Sequence, residues 1–279
     1  MDKILIVGLG LIGGSYAKGL TKCGYKVYGY NRNKEAVDYA IKNNIIIDGT
    51  NNFNKEFVSK FDRIIFSLYP KVFKQYIDDY GSFLQDGSII SDVTGVKESI
   101  VNYIQEKLGD RVEFIAAHPM AGKEVYGIEN SDDKIFENAN YIITPTKKNT
   151  DSGIAFAEEI GKALRFRKIS YLTPSEHDEM IAFLSQLTHC IAVTLMNCKN
   201  SEELVNFTGD SFRDLTRIAN INENMWTELF MLNKNALIKE MDGFISCMTK
   251  LRNYIYNEDT ENIKRMMKQS TERRKFFNK

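Results

Sequence analysis

Residues 3–15, Lys-Ile-Leu-Ile-Val-Gly-Leu-Gly-Leu-Ile-Gly-Gly-Ser, constrain the fold of this chain more than any other stretch. A short apolar run ends in Gly8, Gly10 and Gly13. Residues 15–23 then fit a helix stopped by Gly24, and 26–30 is a second apolar run. The order is strand, glycine turn, helix, strand. Gly8 lets the chain turn tightly off the strand. Gly10 removes a side chain where a pyrophosphate would approach the backbone, and Gly13 lets helix and strand pack closely. The helix N-terminus adds unpaired N–H groups for phosphate oxygens. The spacing predicts a dinucleotide site built on Gly8, Gly10, Leu11, Ile12 and Gly13.

The alternation continues to about residue 170. Strands are predicted at 4–7, 27–30, 45–47, 63–67, 88–91, 112–116, 141–144 and 168–171, with helices at 34–42, 72–80, 97–108 and 153–164. This implies an α/β fold with a doubly wound, mainly parallel sheet covered on both faces. Beyond Leu172 strand signals cease. Pro174 suits a first helical turn capped near Thr173 or Ser175. Met180, Leu184, Leu187, Ile191 and Leu195 then recur at helical spacing. Helical patterns follow over 204–219 and, as one long helix, from Met225 to Ile255. The expected organisation is a Rossmann-type dinucleotide-binding domain over 1–170 and an all-helical domain over 171–279. A helical domain this small has little core of its own, so the long apolar stripe predicts a homodimer.

Lys plus Arg equals Asp plus Glu, 37 each. No net field draws nucleic acid or an anionic membrane, and an anionic substrate must be held by local Arg, Lys or His. No uninterrupted apolar run reaches the ~18 residues of a bilayer span, and the N-terminus enters a strand at once. The expectation is a cytoplasmic protein with a small-molecule substrate and no nucleic-acid or membrane partner. Cys23, Cys190, Cys198 and Cys247 form no C-x-x-C pair, which argues against a disulfide framework or a zinc site.

The end of the second strand selects between dinucleotides. An Asp or Glu there usually holds the ribose hydroxyls of NAD, whereas this chain has Asn31 and Arg32. The missing carboxylate removes a repulsion against a 2′-phosphate, and Arg32 can face one, so the expectation leans to NADP over NAD. Open parallel sheets bind ligands beyond the C-terminal strand ends. Ser67, after the fourth strand, and Asp92, after the fifth, are therefore expected beside the nicotinamide half. Asp92 or Thr94 is also expected to cap the helix that begins near Lys97.

The chain has three histidines. His118, in Ala-Ala-His-Pro-Met-Ala-Gly, follows a strand at the same sheet edge as the glycine turn. There it can accept a proton from a substrate hydroxyl as hydride leaves the same carbon. His189 lies four residues after Ser185 on one helix face, with Asp178 eleven back along nearly the same line. That polar line reads either as the lining of a cleft or as a hydrogen-bonded core. His177 reads as a helix-surface residue. Arg217, in Asp-Leu-Thr-Arg-Ile-Ala, has the fork geometry to clamp a carboxylate.

Seven motifs recur in one order: Gly-Leu-Gly-Leu-Ile-Gly-Gly-Ser at 8–15, Asp-Val-Thr-Gly-Val-Lys at 92–97, His-Pro-Met-Ala-Gly at 118–122, Ser-Glu-His-Asp at 175–178, Ser-Gln-Leu-Thr-His at 185–189, Asp-Leu-Thr-Arg-Ile-Ala at 214–219 and Met-Trp at 225–226. On these, over nearly its whole length, the chain resembles the prephenate dehydrogenases of tyrosine biosynthesis, a family that includes arogenate dehydrogenases. The resemblance implies oxidative decarboxylation of prephenate to 4-hydroxyphenylpyruvate, with hydride transfer to NAD(P)+. It implies that His118 hydrogen-bonds the ring hydroxyl and polarises it, and that Arg217 binds a substrate carboxylate. It further implies that His189 lines the pocket near the pyruvyl side chain, and that Glu124 pairs with the arginine and gates the site. Thr94 and Ser185 complete the expected substrate contacts, and the helical domain is expected to dimerise.

Two departures stand out. Many members carry a serine just before Val-Lys, hydrogen-bonded to the catalytic histidine. Here Gly95 takes that place, which leaves Thr94, a water or the cofactor to orient His118. Some relatives carry a fused mutase or regulatory domain, for which a chain ending at Lys279 leaves no room, so any tyrosine feedback is expected at the active site. The competing readings are an arogenate dehydrogenase, a related hydroxyacid dehydrogenase or imino acid reductase of the same two-domain plan, and a non-catalytic dinucleotide sensor. The last leaves His118 and Arg217 without a role.

Overall fold

Apolar residues run without a break from Ile4 to Val7, and their alternating sides divide the core in two. Ile4 and Ile6 face one cluster, Leu5 and Val7 the other, as the two-residue period of a strand requires. The computed structural model describes residues 3–199 and 202–277. Strands β1 (Lys3–Val7), β2 (Lys26–Tyr30), β3 (Asp48–Thr50), β4 (Arg63–Phe66), β5 (Ile89–Asp92), β6 (Glu113–Pro119), β7 (Asn140–Thr144) and β8 (Lys168–Tyr171) form one sheet. Its order is β3-β2-β1-β4-β5-β6-β7-β8. Every neighbouring pair is parallel except β6 with β7. Helices α1 (Leu11–Lys22), α2 (Lys34–Lys42) and α6 (Asp151–Ala163) cover one face. The short α3 (Lys55–Val58) lies with α4 (Pro70–Tyr80) and α5 (Glu98–Leu108) on the other.

The strand order reverses at β1, which lies between β2 and β4. Such a switch point opens a crevice at the C-terminal strand ends, and the glycine turn leaves β1 there. Gly8 N donates to the Tyr30 carbonyl at 2.8 Å and Ser67 N to the Val7 carbonyl at 2.8 Å, so both flanking strands hold the turn. The third strand falls later than its apolar run at 45–47. Ile45 and Ile46 are buried in the core, and Ile45 N closes α2 through the Ala40 carbonyl at 2.8 Å. The apolar run signalled burial, and pairing with β2 begins at Asp48.

The chain from Pro174 to Asn197 is one continuous helix: α7 (Pro174–Ile181), a π turn (Ala182–Gln186) and α8 (Leu187–Asn197). A reciprocal cap opens it. The Thr173 hydroxyl accepts from Glu176 N, and the Glu176 carboxylate accepts from Thr173 N at 2.8 Å. By length and composition this helix is apolar enough to cross a membrane, which corrects the expectation drawn from uninterrupted runs. Neutral polar residues keep the average apolar while breaking every run. The buried His177, Asp178 and Gln186 make their hydrogen bonds inside the protein.

The stretch 204–219 is not one helix. It comprises a 3-10 turn (Glu202–Phe207), α9 (Asp210–Thr216) and a further 3-10 turn (Arg217–Ala219). The long helix expected from Met225 is broken at Asn233 into α10 (Glu223–Leu232) and α11 (Lys234–Tyr256). The cause is a side-chain commitment: Asn233 is buried and donates to the Asp178 carbonyl and to Gln186 Oε1, both at 2.8 Å.

Two carboxylates tie these helices to the sheet. Asp178 of α7 accepts from the backbone N–H groups of Lys97 at 2.7 Å and Glu98 at 2.9 Å, at the start of α5. Glu228 of α10 accepts from Lys71 N at the start of α4. Each satisfies donors that a helix N-terminus leaves unpaired. The cap expected from Asp92 or Thr94 thus comes from a residue 80 positions later, counted from Glu98. By contacts the chain divides after Asn233. In the second unit, α11 is followed by α12 (Thr260–Arg274), whose N-terminus Asp259 caps by accepting from Asn262 N at 3.0 Å.

Candidate active site

Each glycine of the turn has a distinct geometric reason. Gly8 has φ 99°, in the left-handed region. A Cβ at Gly13 would lie 1.8 Å from the Gly8 carbonyl oxygen, whereas a Cβ at Gly10 would meet nothing within 4 Å. The fold therefore demands glycine at 8 and 13, and the open space over Gly10 suits a ligand's pyrophosphate. Leu11, Ile12 and Gly13 open α1, which has no acidic residue in its first turn and no side-chain cap. Their N–H groups and the helix dipole favour an anion. Ser67, after β4, borders the turn, its carbonyl 2.4 Å from where a Gly8 Cβ would stand. Asn31 Nδ2 donates to the Leu9 carbonyl at 3.3 Å, and Arg32 is exposed beside it. These residues fit a dinucleotide.

Asp92 and Thr94 face inward rather than toward a ligand. Lys97 is fully buried, and its Nζ donates to Asp92 Oδ1 at 2.9 Å, to Asp92 Oδ2 at 2.8 Å and to the Ala117 carbonyl at 2.6 Å. The Thr94 hydroxyl is turned onto Asp92 Oδ2. Burial pulls the Lys97 ammonium below the usual lysine range, and the Asp92 carboxylate opposes that pull. An unpaired charge here would cost several kcal/mol. The pair instead pins the loop after β5 to Ala117, the residue before His118.

His118 lies near the end of β6. Its Nδ1 is 2.9 Å from His177 Nε2, and His177 Nδ1 is 2.7 Å from Asp178 Oδ1. His177 is 0% exposed, which corrects its placement on the helix surface. It lies four residues before the buried Ile181 and so on the inward face. His177, rather than Thr94, is the side chain that holds His118. Burial, His177 and Lys97 keep His118 well below the usual histidine range, so the ring is neutral at pH 7. The Cβ that Gly95 lacks would stand 3.8 Å from His118 Nε2, so the glycine leaves room beside that nitrogen.

A second cluster forms at His189. Its ring packs on Trp226 with centroids 3.7 Å apart. Its Nδ1 donates to the Ser185 carbonyl at 2.9 Å, so Ser185 contributes its backbone and Nε2 is left to accept. Burial lowers the His189 pKa, while the Ser185 carbonyl and Glu124 oppose the shift and Arg217 adds to it. Arg217 Nη1 pairs with Glu124 Oε1, both side chains being exposed. The expected line from Asp178 to His189 does not exist, because the π turn between them breaks the 3.6-residue period. Trp226 and Leu229, three apart on α10, connect the clusters: Leu229 lies over Gly95, its methyls 3.6 and 3.7 Å from the missing Cβ.

Models of the prephenate dehydrogenase nucleotide-binding and dimerization domains match residues 16–170 and 173–269. The chain belongs to the prephenate dehydrogenase family. It is therefore an NAD(P)-dependent oxidoreductase. Its relatives include the prephenate dehydrogenase of Bacillus subtilis, 30% identical over 96% of this chain and 74% of that one. Another is the cyclohexadienyl dehydrogenase of Zymomonas mobilis, 28% identical over 97% and 94%. Prephenate dehydrogenase from Aquifex aeolicus, solved with hydroxyphenyl propionate and NAD+, superposes with a TM-score of 0.90. It is 30% identical and covers 100% of this chain and 99% of that one. Within this prephenate dehydrogenase fold, His177, Asp178, Lys97 and Trp226 lie in motifs that carry the resemblance, yet their contacts at the site are visible only in the structure, and Leu229 lies in none of those motifs. The adjacent His-Asp pair, three and four residues before Ile181, was the signal for the first two.

Proposed function

We propose that this prephenate dehydrogenase family member oxidises prephenate to 4-hydroxyphenylpyruvate and carbon dioxide. The observation that carries the reading is His118, held through Nδ1 by His177 at the strand-end edge that also bears the glycine turn. The bound dinucleotide supplies the hydride acceptor. His118 accepts a hydrogen bond from the ring hydroxyl and raises electron density at the carbon that loses hydride. The ring carboxylate then leaves as carbon dioxide, its bonding pair enters the ring, and the oxygen keeps its proton as the phenol. Aromatisation drives the step, so the protein mainly orients and holds charge. Arg217 exchanges Glu124 for a substrate carboxylate, and His189, stacked on Trp226, lines the pyruvyl end. Ser185 supports His189 through its carbonyl, while Thr94 and Asp92 act through the buried Lys97 pair.

In this reading residues 1–170 hold the dinucleotide and 171–279 supply substrate contacts and the dimer. Exposed Ile238, Ile245, Met248 and Ile255 on α11, seven, three and seven apart, form the kind of seam a second copy covers. A monomeric mass by light scattering at micromolar concentration would rule this out. Asn31 and exposed Arg32 favour NADP, because no carboxylate there repels a 2′-phosphate. One steady-state assay at 340 nm tests substrate and cofactor together. Prephenate should be oxidised faster than arogenate, with a larger kcat/KM for NADP than for NAD. Turnover of arogenate alone would refute the substrate assignment, and a strong NAD preference the cofactor assignment.

A further inference from the structure

Asp178, His177 and His118 form a hydrogen-bonded line, and among the described residues no hydrogen bond closes its far end at His118 Nε2. We propose that His177 and Asp178 are positioning residues that hold His118 with its proton on Nδ1 and a bare Nε2 facing the substrate. This rests on the reading of His118 as the acceptor of the substrate's hydroxyl.

The donors fix the proton positions. Asp178 Oδ1 already accepts from Lys97 N at 2.7 Å, and Oδ2 accepts from Glu98 N at 2.9 Å. Backbone N–H groups donate only, so the carboxylate is an acceptor on both oxygens, and His177 Nδ1 at 2.7 Å must donate to it. A neutral His177 then carries no proton on Nε2. That atom accepts from His118 Nδ1 at 2.9 Å, and the neutral His118 ring has only Nε2 left as an acceptor. The reverse arrangement needs a His177 imidazolium. Its full burial and the nearby Lys97 ammonium oppose that charge, although Asp178 favours it. The same logic operates wherever a carboxylate fixes the tautomer of a catalytic histidine, here with a second histidine interposed. The line gives His118 a partner at Nδ1, whereas a Cβ at position 95 would stand 3.8 Å from Nε2.

Asp178 is held by the N-terminus of α5, and Lys97, the residue before α5, is bonded to the carbonyl of Ala117. The two ends of the line are therefore referenced to one loop, and a shift of α7 relative to the sheet moves His118.

The test uses the full-length protein and its three histidines, which give a simple nitrogen-15 spectrum. In the wild type His118 is expected to show a protonated Nδ1 and an unprotonated Nε2. In H177F, which keeps a ring but has no acceptor, His118 should revert to the Nε2-protonated form that free neutral histidine prefers. kcat should then fall on the order of 10²-fold, with KM for substrate and dinucleotide within about threefold of wild type. H177Q, whose amide oxygen can accept from Nδ1, should keep the wild-type tautomer and recover about tenfold of the loss. A wild-type His118 protonated on Nε2, or H177F with unchanged tautomer and kcat, would overturn the proposal. If H177F does not fold, the wild-type and H177Q spectra decide. Full turnover by H118A would refute the role of His118 while leaving the tautomer result to be judged separately.

Discussion

Replacing His118 with alanine is expected to lower kcat by about 10²- to 10⁴-fold, the usual contribution of a positioned acid–base group. Dinucleotide affinity should hardly change, because the phosphates rest on the glycine turn and the start of α1. KM for prephenate should also change little, since the hydrogen bond to the hydroxyl strengthens mainly as hydride leaves. His118 works as a neutral acceptor and loses function when protonated. Burial, His177 and Lys97 hold its pKa well below the usual histidine range, while Asp178 is bonded to His177, and Asp92 to Lys97 and to Ala117 N. kcat/KM should therefore stay level as pH falls through 6.5 and drop only further down. An acid limb at or above 6.5, or a variant with near-normal kcat, would remove His118 from the mechanism.

Replacing Arg217 with alanine should act on KM instead. Its guanidinium is exposed and pairs with Glu124, so it is poised to exchange one carboxylate for another. A hydrogen bond between charged groups contributes about 1.5–3 kcal/mol, which corresponds to a rise in KM for prephenate of roughly 10- to 10²-fold. kcat should remain within about threefold, because the contact is made equally in ground and transition states. Lysine at this position should restore only part of the affinity, as a point charge cannot grip a carboxylate at two points. A variant with unchanged KM and reduced kcat would mean that Arg217 serves the reacting end and not a carboxylate anchor.

The parts of this molecule that local patterns control were legible in the sequence. Gly8 is demanded by a left-handed φ, and Gly13 because a Cβ there would overlap the Gly8 carbonyl oxygen; the glycine spacing carries both. The strand-end position of His118 followed from an apolar run and the Pro-containing loop after it. What was not legible depends on contacts between distant segments. Asp178 reaches α5 across 81 positions to Lys97 N, and Asn233 breaks a helix to bond Gln186 across 47. Neither partner is signalled near the residue itself. The π turn at Ala182–Gln186 is equally silent in an apolar periodicity, yet it decides that Asp178 and His189 serve different clusters. Asp92 and Thr94 look like ligand residues by position, and only the burial of Lys97 shows where their oxygens are spent.

In the proposed reaction, hydride loss and decarboxylation occur together on prephenate at this site. The direct measurement is the ratio of carbon dioxide released to dinucleotide reduced, taken on purified protein with prephenate as the only substrate. One carbon dioxide per reduced dinucleotide is expected throughout the time course, with 4-hydroxyphenylpyruvate accumulating in step. Reduction of the dinucleotide without release of carbon dioxide, or no reduction with prephenate under either cofactor, would contradict it.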